Sequence, residues 1–290
     1  MGSRKRLITY GIGSMPELPE VQTVVNNLNS LELIGRRIVN ARVYWPKTIA
    51  GMAPATFKKK MKGRRIGDIS RRGKYIVISL SRDLSLLIHL RMTGRLHWAA
   101  ADKRRNPHEH VVLIFGKNRA LRFQDTRKFG RFYLTANPQE ILGKLGLEPL
   151  SDQFTLTRFQ GMLQARKRMI KPLLLDQAFI AGLGNIYVDE ALWKAGIHPL
   201  RVSSSLSKKE VAALQTAIPI VLQKGLRNLG TTLGSGAGNF YSVAGRKGRN
   251  ADDLFVFRRT GEGCPRCRKP IQRIIVGQRS THICSHCQQI

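Results

Sequence analysis

The sequence predicts a multidomain α+β chain: an opening helix, an antiparallel β domain, a helical domain and a metal-braced β-hairpin. Three observations carry this. Val21, Val24, Val25 and Leu28 repeat at helical spacing, a long stretch of short β-rich runs follows, and all four cysteines fall in the last 27 residues as two Cys-x-x-Cys pairs. A chain of 290 residues is long enough for two ordinary domains with proper cores.

Residues 1–14 lack a helical or strand period, so residues 1–15 are assigned to an extension expected to be absent from the mature protein. From Pro19 the apolar spacing makes one helix that ends near Gly35. Short runs at 37–45, 65–70, 75–80, 86–90, 95–98, 110–115, 120–123 and 132–135, punctuated by Gly, Asn and Asp, indicate an antiparallel sandwich or barrel over 16–136. Residues 137–154, with Pro138 and Pro149, read as a linker. Helical signals then occupy 155–252. An amphipathic basic segment runs over 156–167, a short turn starts at Lys171-Pro172, a helix runs over 185–195, and the capping box from Ser207 to Glu210 starts a long helix to about Leu229, bent at Pro219. Glycine-rich residues 230–250 read as a mobile loop; Asn239 breaks the Gly-x-Gly-x-x-Gly pattern and no strand precedes it. Residues 253–290 form the cysteine unit.

Fifty Lys+Arg against 18 Asp+Glu give a net charge of +32 in a chain that is 42% hydrophobic, the mark of a folded protein with a polyanionic partner. No apolar run reaches the ~18 residues of a membrane span, and residues 1–14 lack the apolar core of a secretory signal. Cys264, Cys267, Cys284 and Cys287 have zinc-ligand spacing, which suits a reducing compartment, the cytoplasm. Four thiolates leave Zn2+ no open position, so one structural ion is expected.

The candidate chemistry begins at Met15-Pro16-Glu17. If translation starts at Met15 and that residue is removed, Pro16 carries a free secondary amine, a nucleophile able to form a Schiff base. An α-amino group titrates near ~8, below lysine, so more of it is unprotonated at neutral pH. Glu17 is a carboxyl group able to move protons beside it. Lys74, at a strand entry, would depress the amine's pKa and bind phosphate. Arg127 and Phe129, two positions apart in extended chain, set a cation beside an aromatic wedge. Gly182-Leu183-Gly184 opens a helix whose free N–H groups favour an anion.

Met-Pro-Glu-Leu-Pro-Glu-Val, Arg-Arg-Gly-Lys-Tyr, His-Leu-Arg-Met-Thr-Gly, His-x-His-Val, Asp-x-Arg-x-Phe-Gly, Ile-Lys-Pro, Gly-Leu-Gly-Asn-Ile-Tyr and the cysteine pairs occur in this order from Met15 to Cys287. Together they resemble the bacterial formamidopyrimidine-DNA glycosylases. The resemblance implies a β-sandwich, a helix-two-turns-helix domain and a zinc finger clamping damaged double-stranded DNA, as a monomer in the bacterial nucleoid. It implies that Pro16 attacks C1′ of a flipped nucleotide, that Glu17 is its acid/base partner, and that Lys74 tunes the nucleophile and contacts phosphate. Met92, Arg127 and Phe129 would fill the gap left by the extruded base. Asn185, Lys171, His89 and Arg279 would hold phosphates, and His108 and Lys167 match further DNA-contacting positions. Base release followed by β,δ-elimination is the implied reaction.

Leu18 and the intact Arg-x-Phe pair favour the oxidised-purine branch over the endonuclease VIII branch. Two departures stand out. A retained extension would mask Pro16, and the loop over 234–253 is composed unlike the family's lesion-covering loop. With the extension in place, the alternative is a non-catalytic lesion-binding clamp; an RNA binder of ribosomal type is a third reading.

Overall fold

The computed structural model describes residues 15–233 and 240–290. The expected extension over 1–14 and part of the expected lesion-covering loop, 234–239, lie outside the described residues.

Helix α1 (Leu18–Ser30) starts with Pro19 in its first turn and with the Glu20 carboxylate accepting from the Glu17 N–H at 2.8 Å. Its stripe of Val21, Val24, Val25 and Leu28 is fully buried, and each such side chain contributes about 1.5–3 kcal/mol. Among the described residues nine strands follow before the helical unit: β1 (Ile38–Val43), β2 (Ile49–Ala50), β3 (Ile66–Arg72), β4 (Tyr75–Leu80), β5 (Leu84–His89), β6 (Gly94–Ala100), β7 (Glu109–Phe115), β8 (Arg119–Asp125) and β9 (Arg131–Thr135). They form a five-stranded sheet in the order β2-β9-β5-β4-β3 and a four-stranded sheet in the order β1-β7-β8-β6. The pairs are antiparallel except β2 with β9. Ile76, Ile78 and Phe132 of one sheet share a core with Leu96, Leu113 and Phe123 of the other, which makes the sandwich.

Helix α2 (Pro54–Met61) is a correction to an expectation of strands alone after the first helix. Pro54 at its start and the fully buried pair Phe57 and Met61, four apart, were its signals in the sequence. The expected linker contains a short helix, α3 (Gln139–Leu142).

The helical unit comprises α4 (Leu156–Gln164), α5 (Ile170–Leu175), α6 (Asn185–Ala195) and α7 (Lys208–Arg227). The Ser207–Glu210 capping box is formed in both directions, and Pro219 sits inside α7. Leu18, from the first helix, packs in this second core with Phe159, Ile186, Tyr187, Ile218 and Leu222 rather than in the sandwich. The described flanks of the glycine-rich stretch are anchored, contrary to a mobile loop throughout 230–250. Phe240 and Val243 join the sandwich core, and Thr232 Oγ1 both donates to the Phe240 carbonyl and accepts from the Gly248 N–H.

The last unit is a hairpin of β10 (Gln272–Val276) and β11 (Arg279–Ile283) beside the four cysteines. Glu190 of α6 accepts backbone N–H bonds from Phe255, Val256 and Phe257, tying the approach to the finger onto the helical unit.

Candidate active site and nucleic-acid interface

Pro16 is buried where α1 meets α6, and its nitrogen is joined to Met15 in a peptide bond. The Glu17 carboxylate sits on the first turn of α6, accepting from the N–H groups of Ile186 at 2.9 Å and Tyr187 at 3.3 Å. The anion expected at this helix start is therefore Glu17 itself. Gly184 is needed for that approach, because a Cβ there would lie 2.4 Å from Glu17 Cδ. Gly182, at φ +94°, lets the loop close on Leu18, whose N–H donates to the Gly182 carbonyl at 3.0 Å. Burial pushes the Glu17 pKa up to about 7, against the lowering effect of Lys74 and the two backbone bonds, with Glu20 adding to the rise.

Glu20 is the hub beneath Glu17. Besides the Glu17 N–H, it accepts from Tyr187 Oη at 2.9 Å and from the Thr231 N–H at 2.7 Å. Burial raises its pKa, and burial beside Glu20 raises that of Tyr187 well above the phenol range. Three segments, α1, α6 and the start of the 231–250 stretch, thus meet on one carboxylate.

Lys74 is buried in the turn between β3 and β4, after Gly73 at φ +55°. Desolvation lowers its pKa, Glu17 and Glu20 raise it, and Arg279 and Arg91 lower it again. Glu148 of the linker clamps this turn, accepting from Arg71, Arg72 and the Gly73 N–H, with ion-pair distances of 2.9 and 3.0 Å.

The gap-filling candidates lie on the two crossovers between the sheets. Met92 is on the β5–β6 connection, and Arg127 and Phe129 are on the β8–β9 connection. Register places the connections side by side, since Gly94 faces Asp125 and His89 faces Arg131. Buried Asp125 clasps them together. Its Oδ1 accepts from Thr93 Oγ1, and its Oδ2 accepts from the Gly130 N–H at 2.7 Å. The Arg127 N–H donates to Thr93 Oγ1 and to Asp125 Oδ1 at 3.1 and 3.2 Å. Met92 is half-buried, whereas Arg127 and Phe129 are exposed, with the guanidinium 4.9 Å from the ring centroid. His89 is buried edge-on to Tyr75 and its Nδ1 accepts from the Arg91 N–H. Burial, then Arg91 and Lys74, push its pKa down to about 3, so the ring stays neutral at physiological pH.

Three assigned phosphate ligands differ in their surroundings. Arg279 is exposed at the start of β11. Asn185 uses Nδ2 to reach the Ser280 carbonyl at 2.8 Å, while its buried Oδ1 has no partner among the described residues. Lys171 is a correction: fully buried, it donates to Asp189 at 2.5 Å and to the Ser280 carbonyl at 3.1 Å. Asp189 also accepts from the His282 N–H, so this lysine joins α5 and α6 to the finger instead of facing a phosphate. His108 and Lys167 are exposed. Glu20, Tyr187, Thr93, Asp125, Glu148 and Asp189 were not among the sequence candidates. Glu20, Thr93 and Asp125 lie inside recognised motifs, whereas nothing in the sequence pointed to Glu148.

The sulfurs of Cys264, Cys267, Cys284 and Cys287 lie within 4.8 Å of one another, with Sγ–Sγ separations of 3.9 and 3.4 Å for two pairs. Tetrahedral bonds of ~2.3 Å require about 3.8 Å between sulfurs, so the four form a structural zinc site.

Fold and site place the chain among the DNA glycosylases that combine a sandwich, a helical domain and a zinc finger. Family models for the formamidopyrimidine-DNA glycosylase N-terminal domain, its H2TH domain and the zinc finger found in FPG and IleRS match residues 15–132, 145–241 and 261–290. The formamidopyrimidine-DNA glycosylase of Protochlamydia amoebophila is 47% identical over 275 residues, covering 95% of this chain and all of the relative. That of Herpetosiphon aurantiacus is 46% identical over 94% of this chain and all of the relative. A Lactococcus lactis Fpg variant solved with Fapy-dG-containing DNA superposes with a TM-score of 0.88 at 36% identity, covering 95% of this chain and all of that one. The Lactococcus lactis protein with abasic-site DNA gives 0.86 at 36% identity, over 94% of this chain and all of that one. The chain belongs to the formamidopyrimidine-DNA glycosylase family, enzymes with glycosylase and AP lyase activity.

Proposed function

We propose that this chain excises oxidised purines, 8-oxoguanine and formamidopyrimidines, from duplex DNA through the amine of Pro16 and then cleaves the strand. The observation that carries the reading is Glu17, a buried carboxyl group with a pKa of about 7, next to Pro16 and fixed on α6. A group titrating there can deliver a proton as the base departs and accept one afterwards.

The amine attacks C1′ and the base leaves with a proton. The sugar ring then opens, its ring oxygen taking a proton, and C1′ is left in a cationic imine with the proline nitrogen. That positive nitrogen acidifies the C2′ proton; its removal expels the 3′ phosphate, and a second elimination expels the 5′ phosphate. Water then releases Pro16. Lys74 supports both stages: burial makes it easier to deprotonate while Glu17 and Glu20 favour its charge, which suits a group that tunes the amine and meets a phosphate, and Glu148 fixes its turn. Met92, Arg127 and Phe129 fill the vacated stack, and His89, His108, Lys167, Asn185 and Arg279 hold the backbone. The Lactococcus lactis complexes with Fapy-dG and abasic-site DNA support this substrate class. On this reading the catalytic sandwich is 16–136, the linker 137–154, the helix-two-turns-helix domain 155–252 and the finger 253–290. The enzyme works as a monomer on the nucleoid.

The active chain begins at Pro16. Incubation with an 8-oxoguanine duplex and borohydride should trap a covalent complex at Pro16, and intact mass of the trapped protein should show residues 1–15 removed. A chain that retains residues 1–15 and binds the lesion without cleavage would instead be a non-catalytic clamp. Trapping at Lys74 would overturn the assignment of the nucleophile.

A further inference from the structure

The basic residues of the sandwich are not confined to its Lys74 end. At the opposite end, α2 and the link from it to β3 carry Lys58, Lys59, Lys60, Lys62, Arg64 and Arg65 within eight residues. β3 runs away from there to the Lys74 turn, and its seven residues span on the order of 20 Å. The 13-residue helix α1, which starts beside Pro16, also ends at this far end, a length of about 20 Å.

Charge here is held in place but not neutralised. Arg64 donates to the carbonyls of Lys60 and Ser81, and Arg65 donates to that of Gly35, so both guanidinium groups are tethered to neutral acceptors. Among the described residues none of the six takes part in a salt bridge. The nearby acidic residues are few: Glu32 after α1, Asp68 on β3 and Asp83 in the β4–β5 turn. A cavity of about 560 Å³ lies on this face, lined by Ala55, Thr56, Lys59, Lys60 and Arg64.

The surroundings select the partner. A membrane-surface helix presents an apolar face beside its cations, yet α2 buries Phe57 and Met61 completely. Single-stranded nucleic acid is bound by stacking on aromatic rings, and the exposed aromatics Tyr44 and Phe129 lie elsewhere. A row of lysines and tethered arginines without stacking groups suits the phosphates of a duplex. We infer that this face binds a second segment of duplex DNA while the lesion strand occupies the cleft. The inference takes its choice of polymer from the glycosylase reading, but it concerns a surface that chemistry at Pro16 does not use.

The test is capture of a second duplex. Protein bound to an immobilised short lesion duplex is offered a labelled undamaged duplex, with K58E/K59E/K60E/K62E and the corresponding four-glutamine variant compared with the unaltered chain. The unaltered protein should retain the second duplex in a strongly salt-sensitive way. The glutamate variant should lose at least ten-fold and the glutamine variant less, while both excise the lesion from the short duplex within two-fold of the unaltered protein. The salt slope of second-duplex capture should fall by about 0.9 for each phosphate contact removed. Capture unchanged in both variants, or none by the unaltered protein, overturns the inference. Preference for single-stranded RNA over duplex overturns the choice of partner. Failure of excision by the unaltered protein counts against the glycosylase reading alone, because capture is scored independently.

Discussion

Glu17 faces opposing demands. Burial and Glu20 disfavour its charge, Lys74 and the helix N-terminus favour it, and the outcome is a pKa of about 7. Since the ordinary value is 4.5, the folded protein holds a proton there that the unfolded chain has already released, so this group's effect on stability worsens as pH rises from about 4.5 through 7. Glu17→Gln should therefore lower base release by roughly 10²–10⁴-fold, the usual worth of a general acid/base. Its melting temperature should also fall less steeply between pH 5 and 8 than that of the unaltered protein. Identical pH slopes in calorimetry would remove the argument for a strained, buried carboxyl group. Pro16 and Glu17 can be nominated from sequence only because the downstream motifs accompany the Met-Pro-Glu start. Lys171 was misread because sequence shows a charge but not its burial, and here Asp189 takes that charge.

At the scale of elements, the Asp125 clasp joins two crossovers, so Met92 is presented on the same edge as Arg127 and Phe129. Thr93→Val keeps the shape but removes the hydroxyl that serves both Asp125 and the Arg127 N–H. Leaving such buried groups short of a partner costs about 1–3 kcal/mol. Excision of 8-oxoguanine opposite cytosine should drop about ten-fold, whereas cleavage at a preformed abasic site, which requires no base extrusion, should stay within about three-fold. Thr93→Ser should restore excision. Equal loss on both substrates would point to general damage to the sandwich. The strands were legible from short β-rich runs and the turn residues between them. Helix α2 was missed because its apolar signal is only Phe57 and Met61 amid lysines, and its stability comes from the sandwich beneath. Which strands pair, and hence that the two crossovers adjoin, depends on contacts distant in sequence.

For the whole molecule, the finger should be the unit that fails first when metal is withdrawn. Its core is little more than Trp193, Val256, Ile271 and the cysteines, too small to hold a hairpin unaided. Chelation at neutral pH should unfold β10 and β11, displace Arg279 and weaken duplex binding, while hydrogen exchange in β4, β5 and β8 stays protected. Loss of protection throughout would mean that the finger supports the remaining fold as well. The cysteine spacing and net charge announced this unit and its polyanionic partner early. The seam between the other two units was only partly legible: Leu18, Glu20 and Tyr187 lie inside the quoted motifs, but that they line one seam, with Glu148 nearby, depends on contacts distant in sequence.

That seam has a mechanical consequence. Pro16 and Glu17 precede the sandwich in sequence, yet Leu18 packs in the helical core and Glu17 is fastened to α6. Because Val21, Val24, Val25 and Leu28 of the same helix pack in the sandwich core, α1 ties the two bodies together, and its first turn, with Pro16 and Glu17, sits at their junction.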